Sequence, residues 1–201
     1  MKTKIFMSSA IAKSGKTTHT GFKPVVYDDL NQLAKAMMTK AHSSAVFSLM
    51  PRWDKYNNKW KHEYKKRKHN IAFIGNTLCY DFDNGELTFT EAQNIAKKVL
   101  KKTKFPVLLI KSKSDPKHDY DKFKMIVVTD FMFMMHRSDT SPKDYITHRL
   151  QQYKEYYHSF AKDFKFHKFM DKSTDTEERL IAQVTNDDEK KRKREYVIFT
   201  K

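Results

Sequence analysis

The sequence predicts an α+β fold on two observations. Short apolar runs of strand character (residues 4–10, 45–50, 71–82, 106–110 and 123–128) are interspersed with three stretches (28–41, 88–99 and 141–164) whose apolar side chains recur at helical spacing. At 201 residues and 23.9 kDa the chain is long enough to enclose a full core, so a single domain over 1–201 is expected.

The first strand, 4–10, runs into a polar loop through Gly21 and Pro24. Asp28 is placed to cap a helix in which Leu30, Leu33, Ala34, Met37, Met38 and Ala41 share one face. A short strand, 45–50, is closed by Pro51, and a densely basic segment follows from Arg52 to Lys68. The run 71–82 reads as one core strand, with Tyr80 and Phe82 facing the interior and Asp81 facing the other way, ended by the turn residues Asn84 and Gly85. Thr88-Phe89-Thr90-Glu91 has the form of a capping box, opening a helix that buries Ala92, Ile95, Ala96 and Val99 and gathers lysines at its C-terminal end. Strands at 106–110 and 123–128 flank a polar loop. The longest helix starts at Ser141-Pro142 and aligns Ile146, Leu150, Tyr153, Tyr157, Phe160 and Phe164. A loop at 170–175 follows, and 179–185 and 195–200 are expected to pair as a hairpin.

A net charge of +16 and a pI of 9.7 exceed what solubility requires and point to a polyanionic partner, nucleic acid ahead of an acidic membrane surface. No apolar run approaches membrane-spanning length and the N-terminus has no apolar signal core, so a soluble, cytoplasmic protein with no membrane partner is expected. The lone Cys79 permits neither an internal disulfide nor a cysteine metal cluster. The nine histidines form no His-x-His or His-Glu-x-x-His pattern, which disfavours a histidine-metal hydrolase. Residues 10–17, ending Ser14-Gly15-Lys16-Thr17, satisfy a relaxed phosphate-loop pattern, but such a loop must open a helix and the residues from Thr18 to Pro24 do not form one.

The most informative stretch is Tyr80-Asp81-Phe82-Asp83-Asn84-Gly85. Carboxylates one residue apart on a strand point from the same face. Their mutual repulsion is relieved by a divalent cation, and hard oxygen ligands favour Mg²⁺ or Mn²⁺ over Zn²⁺. The same residues also fit a polar turn closing a strand. Further on, the loop and strand from Lys111 to Lys124 carry five lysines and one histidine against three aspartates, a set suited either to a triphosphate or to a solvated hairpin.

Taken in order, Tyr80-Asp81-Phe82-Asp83-Asn84-Gly85, then Leu109-Ile110-Lys111-Ser112-Lys113-Ser114 with Lys122-Phe123-Lys124-Met125-Ile126-Val127, then Phe169-Met170-Asp171-Lys172-Ser173-Thr174 with Glu178-Arg179-Leu180, the chain resembles the archaeo-eukaryotic primase superfamily, and within it the primase-polymerases of phages and plasmids. The resemblance spans roughly residues 71 to 184. It implies a two-module core with an RRM-like, mostly antiparallel sheet carrying the metal aspartates and N-terminal elements forming the other wall of a nucleic-acid cleft. It implies Asp81, Asp83 and Asp171 as ligands of two Mg²⁺ or Mn²⁺ ions, with nucleotide contacts from the second motif. There the chain departs from the family, because Asp115 follows Ser112-Lys113-Ser114 where a histidine is expected. Lys111, Ser112, Lys113, Ser114, His118, Lys122 and Lys124 are therefore all candidates for the phosphate-contacting role, and Arg179 either pairs with Asp171 or touches phosphate. The implied activity is template-directed nucleotidyl transfer on single-stranded DNA. Its partners would be that template, nucleoside triphosphates and a replicative helicase, as a separate protein or a further domain if this chain is the N-terminal part of a longer one.

Between Arg52 and Lys68, eight basic residues alternate with Trp53, Tyr56, Trp60 and Tyr64, whose steps of three, four and four align the rings on one helical face. With Lys61, Lys65, Lys66 and Arg67 beside them, the rings suit a single-stranded template. The alternative is an amphipathic helix that docks its rings on the core. The run Lys190–Arg194 reads as a solvated tip with phosphate affinity. Two other activities fit the same composition: a non-catalytic single-strand-binding or replication-initiation module, and a metal-dependent nuclease using the same aspartates.

Overall fold

The computed structural model describes residues 4–10, 21–38, 40–64, 71–112, 122–135, 143–171 and 195–201. Over these the chain is α+β, with three helices and several small antiparallel sheets. The largest sheet has the strand order β12 (Tyr196–Phe199), β9 (Val107–Lys111), β10 (Phe123–Val128), β8 (Thr77–Phe82), so β8 lies at its edge.

Alternation along these strands divides the core in two. Leu78, Tyr80, Phe82, Val107, Leu109, Phe123, Met125 and Val127 face α2 (Phe89–Thr103) and α3 (Lys143–Asp163). Cys79, Leu108, Ile110, Ile126 and Val128 face the opposite way, toward α1 (Leu30–Met37) and the strands β1 (Ile5–Ala10) and β2 (Lys23–Tyr27). A three-stranded sheet β2-β1-β3 (β3, Ala41–Ser43) therefore lies over the second face, and another, β11 (Phe133–Met134), β7 (Ile71–Ile74), β4 (Ala45–Phe47), flanks the first core.

Several boundaries differ from expectation, each for a local reason. The stretch 71–82 is two strands in different sheets, because the chain turns at Gly75-Asn76. A Cβ on Gly75 would collide with the Phe6 carbonyl, so only glycine lets β1 approach. Asn76, buried, accepts the Phe6 N–H at 2.9 Å and donates to the carbonyls of Lys4 (2.8 Å) and Thr129 (3.2 Å), tying β1 to the end of the large sheet. The cap of α1 is Asp29, whose side chain accepts the Gln32 N–H at 2.9 Å, not Asp28, and Ala41 begins β3 rather than extending the helix. The loop expected through Gly21 and Pro24 gives way at Lys23 to β2, an edge strand that tolerates Pro24. The Thr88 capping box forms as expected, with Glu91 N–H donating to Thr88 Oγ1 (3.2 Å) and Thr88 N–H to Glu91 Oε2 (2.9 Å). Residue 195 onward pairs with β9; its expected partner 179–185 lies outside the described residues, as do 11–17 of the phosphate-loop pattern and 190–194. Among the described residues no helix is long and apolar enough to cross a membrane.

The basic segment after Pro51 is the largest departure. It is a β-hairpin, β5 (Leu49–Asp54) and β6 (Lys59–Tyr64), not a helix, and its two strands form a sheet of their own.

Candidate functional site

Asp81 sits near the C-terminal end of β8 on the face opposite Tyr80 and Phe82. In register with it across the sheet are Lys124 on β10, Ile110 on β9 and Tyr196 on β12, one row of side chains on one face. Lys124 Nζ donates to Asp81 Oδ2, with the two side chains only 17% and 14% exposed. The strand ends at Phe82. Asp83 follows, half-buried, and the predicted turn closes behind it: Glu86 N–H donates to Asn84 Oδ1 at 3.2 Å, and Gly85 has the positive φ, 75°, that glycine adopts without strain.

Asp171 reaches this site from far along the chain. After α3 the chain reverses through Lys165 (φ 61°), Phe166 buries its ring against Tyr80 and Phe82 at 4.8 and 5.9 Å between centroids, and a 3-10 turn at His167–Phe169 follows. The Asp171 backbone N–H then donates to the Asp81 carbonyl at 3.0 Å, on the open edge of β8. A reciprocal tyrosine pair fixes α3 to the same strand. Tyr80 donates to the Tyr157 carbonyl (3.0 Å) and Tyr157 to the Cys79 carbonyl (2.8 Å), with the rings stacked at 4.3 Å.

The donor chemistry of Asp81, Asp83 and Asp171 fits Mg²⁺ or Mn²⁺, which take a few carboxylates and complete their shells with water and substrate phosphate. Among the described residues, however, no three histidine, cysteine, aspartate or glutamate side chains converge closely enough to hold an ion, and the Asp81 carboxylate is engaged with Lys124. The backbone brings Asp171 beside Asp81; among the described residues the side chains are not gathered into a cage.

Of the candidate nucleotide contacts, Lys124 shares the aspartate face. Ser112 N–H donates to the Lys122 carbonyl at 2.7 Å, which puts both at the mouth of the loop beside that row. Lys111 points to the other side, pairing with Glu195 at 3.0 Å and lying over the Phe89 ring, so it is not brought to the aspartates. Lys113, Ser114, His118 and Arg179 lie outside the described residues.

On the aspartate face behind Asp81, Thr77 donates to Ser44 (3.0 Å) and Ser44 to the Cys79 sulfur (3.2 Å). Burial pushes the Cys79 thiol up to about 12, so it stays protonated at neutral pH. A cleft of about 600 Å³ opens at the far end of the sheet, between the start of α1, Pro106, Val128 and Lys201, and does not include the aspartates. The structure also pairs two histidines that sequence spacing left scattered, His158 on α3 and His167 in the 3-10 turn, with ring nitrogens 3.2 Å apart.

The hairpin replaces the expected helical stripe with a different arrangement of the same residues. Trp53 and Trp60 are cross-strand partners with ring centroids 5.5 Å apart, edge to face, and they are 41% and 66% exposed. Leu49 is also exposed, and Tyr56 at the tip is fully so. The rings of Trp53, Tyr56 and Trp60 are therefore not docked on the core, the alternative reading of this segment, while Tyr64 is half-buried. The opposite face carries Arg52 paired with Glu63 at 3.1 Å and Lys61 paired with Asp54 at 3.2 Å. Lys65, Lys66, Arg67 and Lys68 lie outside the described residues. Comparison of the chain with family models, with curated proteins and with solved structures returns no match.

Proposed function

We propose that this protein is a primase-polymerase, transferring nucleotides to a growing strand on a single-stranded DNA template with Asp81, Asp83 and Asp171 as its metal-binding acids. One observation carries the reading: the hydrogen bond from Asp171 N–H to the Asp81 carbonyl joins residues separated by most of the catalytic region in sequence, the two motifs that this chemistry needs side by side. Mg²⁺ or Mn²⁺, when bound, would activate the attacking 3′-hydroxyl and neutralise the leaving pyrophosphate. The residues supply the setting. Asp81 and Asp83 offer oxygen donors at the end of a strand held by the core on one side, and Asp171 is tethered to that strand by its own backbone. Lys124 pairs with Asp81 on the same face. Were Asp81 to hold a divalent ion, Lys124 would be placed beside it to contact a triphosphate.

The test is incubation of the purified chain with unprimed and primed single-stranded DNA, labelled nucleoside triphosphates and Mg²⁺ or Mn²⁺, beside Asp81→Ala and Asp83→Ala proteins. New strands from the unprimed template, lost in both variants while DNA binding persists, are expected. Synthesis retained in both variants would remove the metal assignment. The ion pair of Lys124 with Asp81 also favours a second reading, a binding module on a scaffold without catalysis, which predicts bound DNA and no incorporation. Shortened DNA would make the aspartates a nuclease site.

A further inference from the structure

We infer that the β5–β6 hairpin is a base-stacking arm for unpaired nucleic acid, acting independently of the aspartates. Its two faces divide the work. Trp53, Trp60 and Leu49 lie exposed on one face, while Arg52 with Glu63 and Lys61 with Asp54 pair off on the other. A two-stranded sheet has no core of its own and ordinarily hides its apolar face, so rings left open to water mark a surface that something else covers. The occupant follows from charge and shape. The chain carries +16, and Lys55 and Lys59 flank the exposed Tyr56 at the tip, so a polyanion is drawn to this arm. Flat indole faces accept the flat faces of bases, which are available only where bases are unpaired. Because Arg52 and Lys61 are already paired within the hairpin, the exposed rings contribute stacking, while Lys55 and Lys59 at the tip and the rest of the basic surface contribute phosphate attraction.

Both tryptophans of the protein are in this hairpin, so its intrinsic fluorescence reports the arm directly. The full chain, without metal or nucleoside triphosphate, is titrated with oligo(dT), oligo(rU) and a DNA duplex of the same length. Affinity is followed in parallel by anisotropy of labelled oligonucleotides. Saturable quenching by a single strand and none by duplex is expected; the oligo(dT) and oligo(rU) arms tell which sugar is preferred. The Trp53→Ala/Trp60→Ala protein should bind single strands about ten- to a hundredfold more weakly. The slope of log affinity against log salt should stay unchanged, since no phosphate contact is removed. The Trp53→Phe/Trp60→Phe protein keeps a cross-strand aromatic pair and should retain most of the binding, which separates lost stacking from a lost hairpin.

Equal quenching by duplex, unchanged affinity in the alanine pair, or equal loss in the phenylalanine and alanine pairs would overturn the assignment. So would concentration-dependent dimerisation that buries the tryptophans and is abolished by the alanine pair, which would make a second copy of the chain the occupant. The quenching is read without metal or nucleoside triphosphate and strand synthesis with both, so failure of the aspartate site and failure of the arm are read separately.

Discussion

His42 is buried with both ring nitrogens engaged, Nε2 2.7 Å from the Tyr27 hydroxyl and Nδ1 3.1 Å from the Lys40 carbonyl. Burial, with a smaller opposing contribution from the Lys40 carbonyl, lowers its pKa to about 4. The folded state therefore resists a proton that the unfolded chain accepts below about pH 6.5. Stability is unaffected by this group above that value, falls as the pH drops from about 6.5 toward 4, and loses roughly 3 kcal/mol in all. Urea midpoints at about pH 7 and about pH 4.5 should separate in wild type and converge in His42→Gln; an equal drop in both proteins would refute the assignment. The ion pair of Asp81 with Lys124 makes a second prediction at this scale. Asp81→Ala leaves a largely buried ammonium without that partner and should cost about 1 to 3 kcal/mol, part of which Lys124→Met in the same chain restores. Thermal melts of the single and double variants measure it. At this scale the sequence was informative where chemistry is local. Asp-x-Asp before Asn-Gly announces its own turn, whereas the partners of Asp81 and His42 are set by tertiary register and carry no local signal.

Elements were legible where their ends are written in the chain. The capping box at Thr88 is such a case, and Thr88→Ala should destabilise by about 1 kcal/mol, measured by chemical unfolding. The hairpin was misread for a physical reason. Rings at 53, 56, 60 and 64 satisfy helical spacing, but 53 and 60 also meet across a turn, and Asp54 with Asn57 and Asn58 supplies that turn. Asp54 accepts the backbone N–H groups of Tyr56 (3.1 Å) and Asn57 (3.4 Å), the Asn57 side-chain amide (2.9 Å) and Lys61 (3.2 Å), while Asn58 takes φ 47°. The Asn57 amide, then Lys61, hold the Asp54 carboxyl down at about 2. A carboxyl whose folded pKa is depressed contributes stability that is present above the ordinary carboxylate range and lost as pH falls through the folded value. The near-ultraviolet signal of the Trp53/Trp60 pair should accordingly persist at mildly acidic pH and fade as pH approaches about 2. In Asp54→Ala it should already be weak at neutral pH; a full signal there would show that the turn holds without the carboxylate.

Across the whole molecule, the strand order β12-β9-β10-β8 and the two sheets laid around it could not be read locally, because each neighbour relation joins distant segments. What the sequence did carry is the pair Gly75-Asn76, read only as interior to one strand, yet it is where the two cores are clasped. The first core holds Tyr80 and Phe82 beneath the aspartates, and the second holds β1, β2 and α1 over the opposite face of the same sheet. If Asn76 is what couples them, Asn76→Ala, which strands the Phe6 N–H and two carbonyls, should cost about 2 to 4 kcal/mol. Its signature should be lost cooperativity. Amides of β1 and β2 would exchange hydrogen well before those of β9 and β10, whereas in wild type the slowest amides of both layers should report the same global opening. Uniform loss of protection in the variant would mean that the second core, rather than the asparagine, joins the layers. Conversely, early release of β1 with Tyr80 and Tyr157 still protected would show that the aspartate strand and α3 stand as a unit without the N-terminal wall.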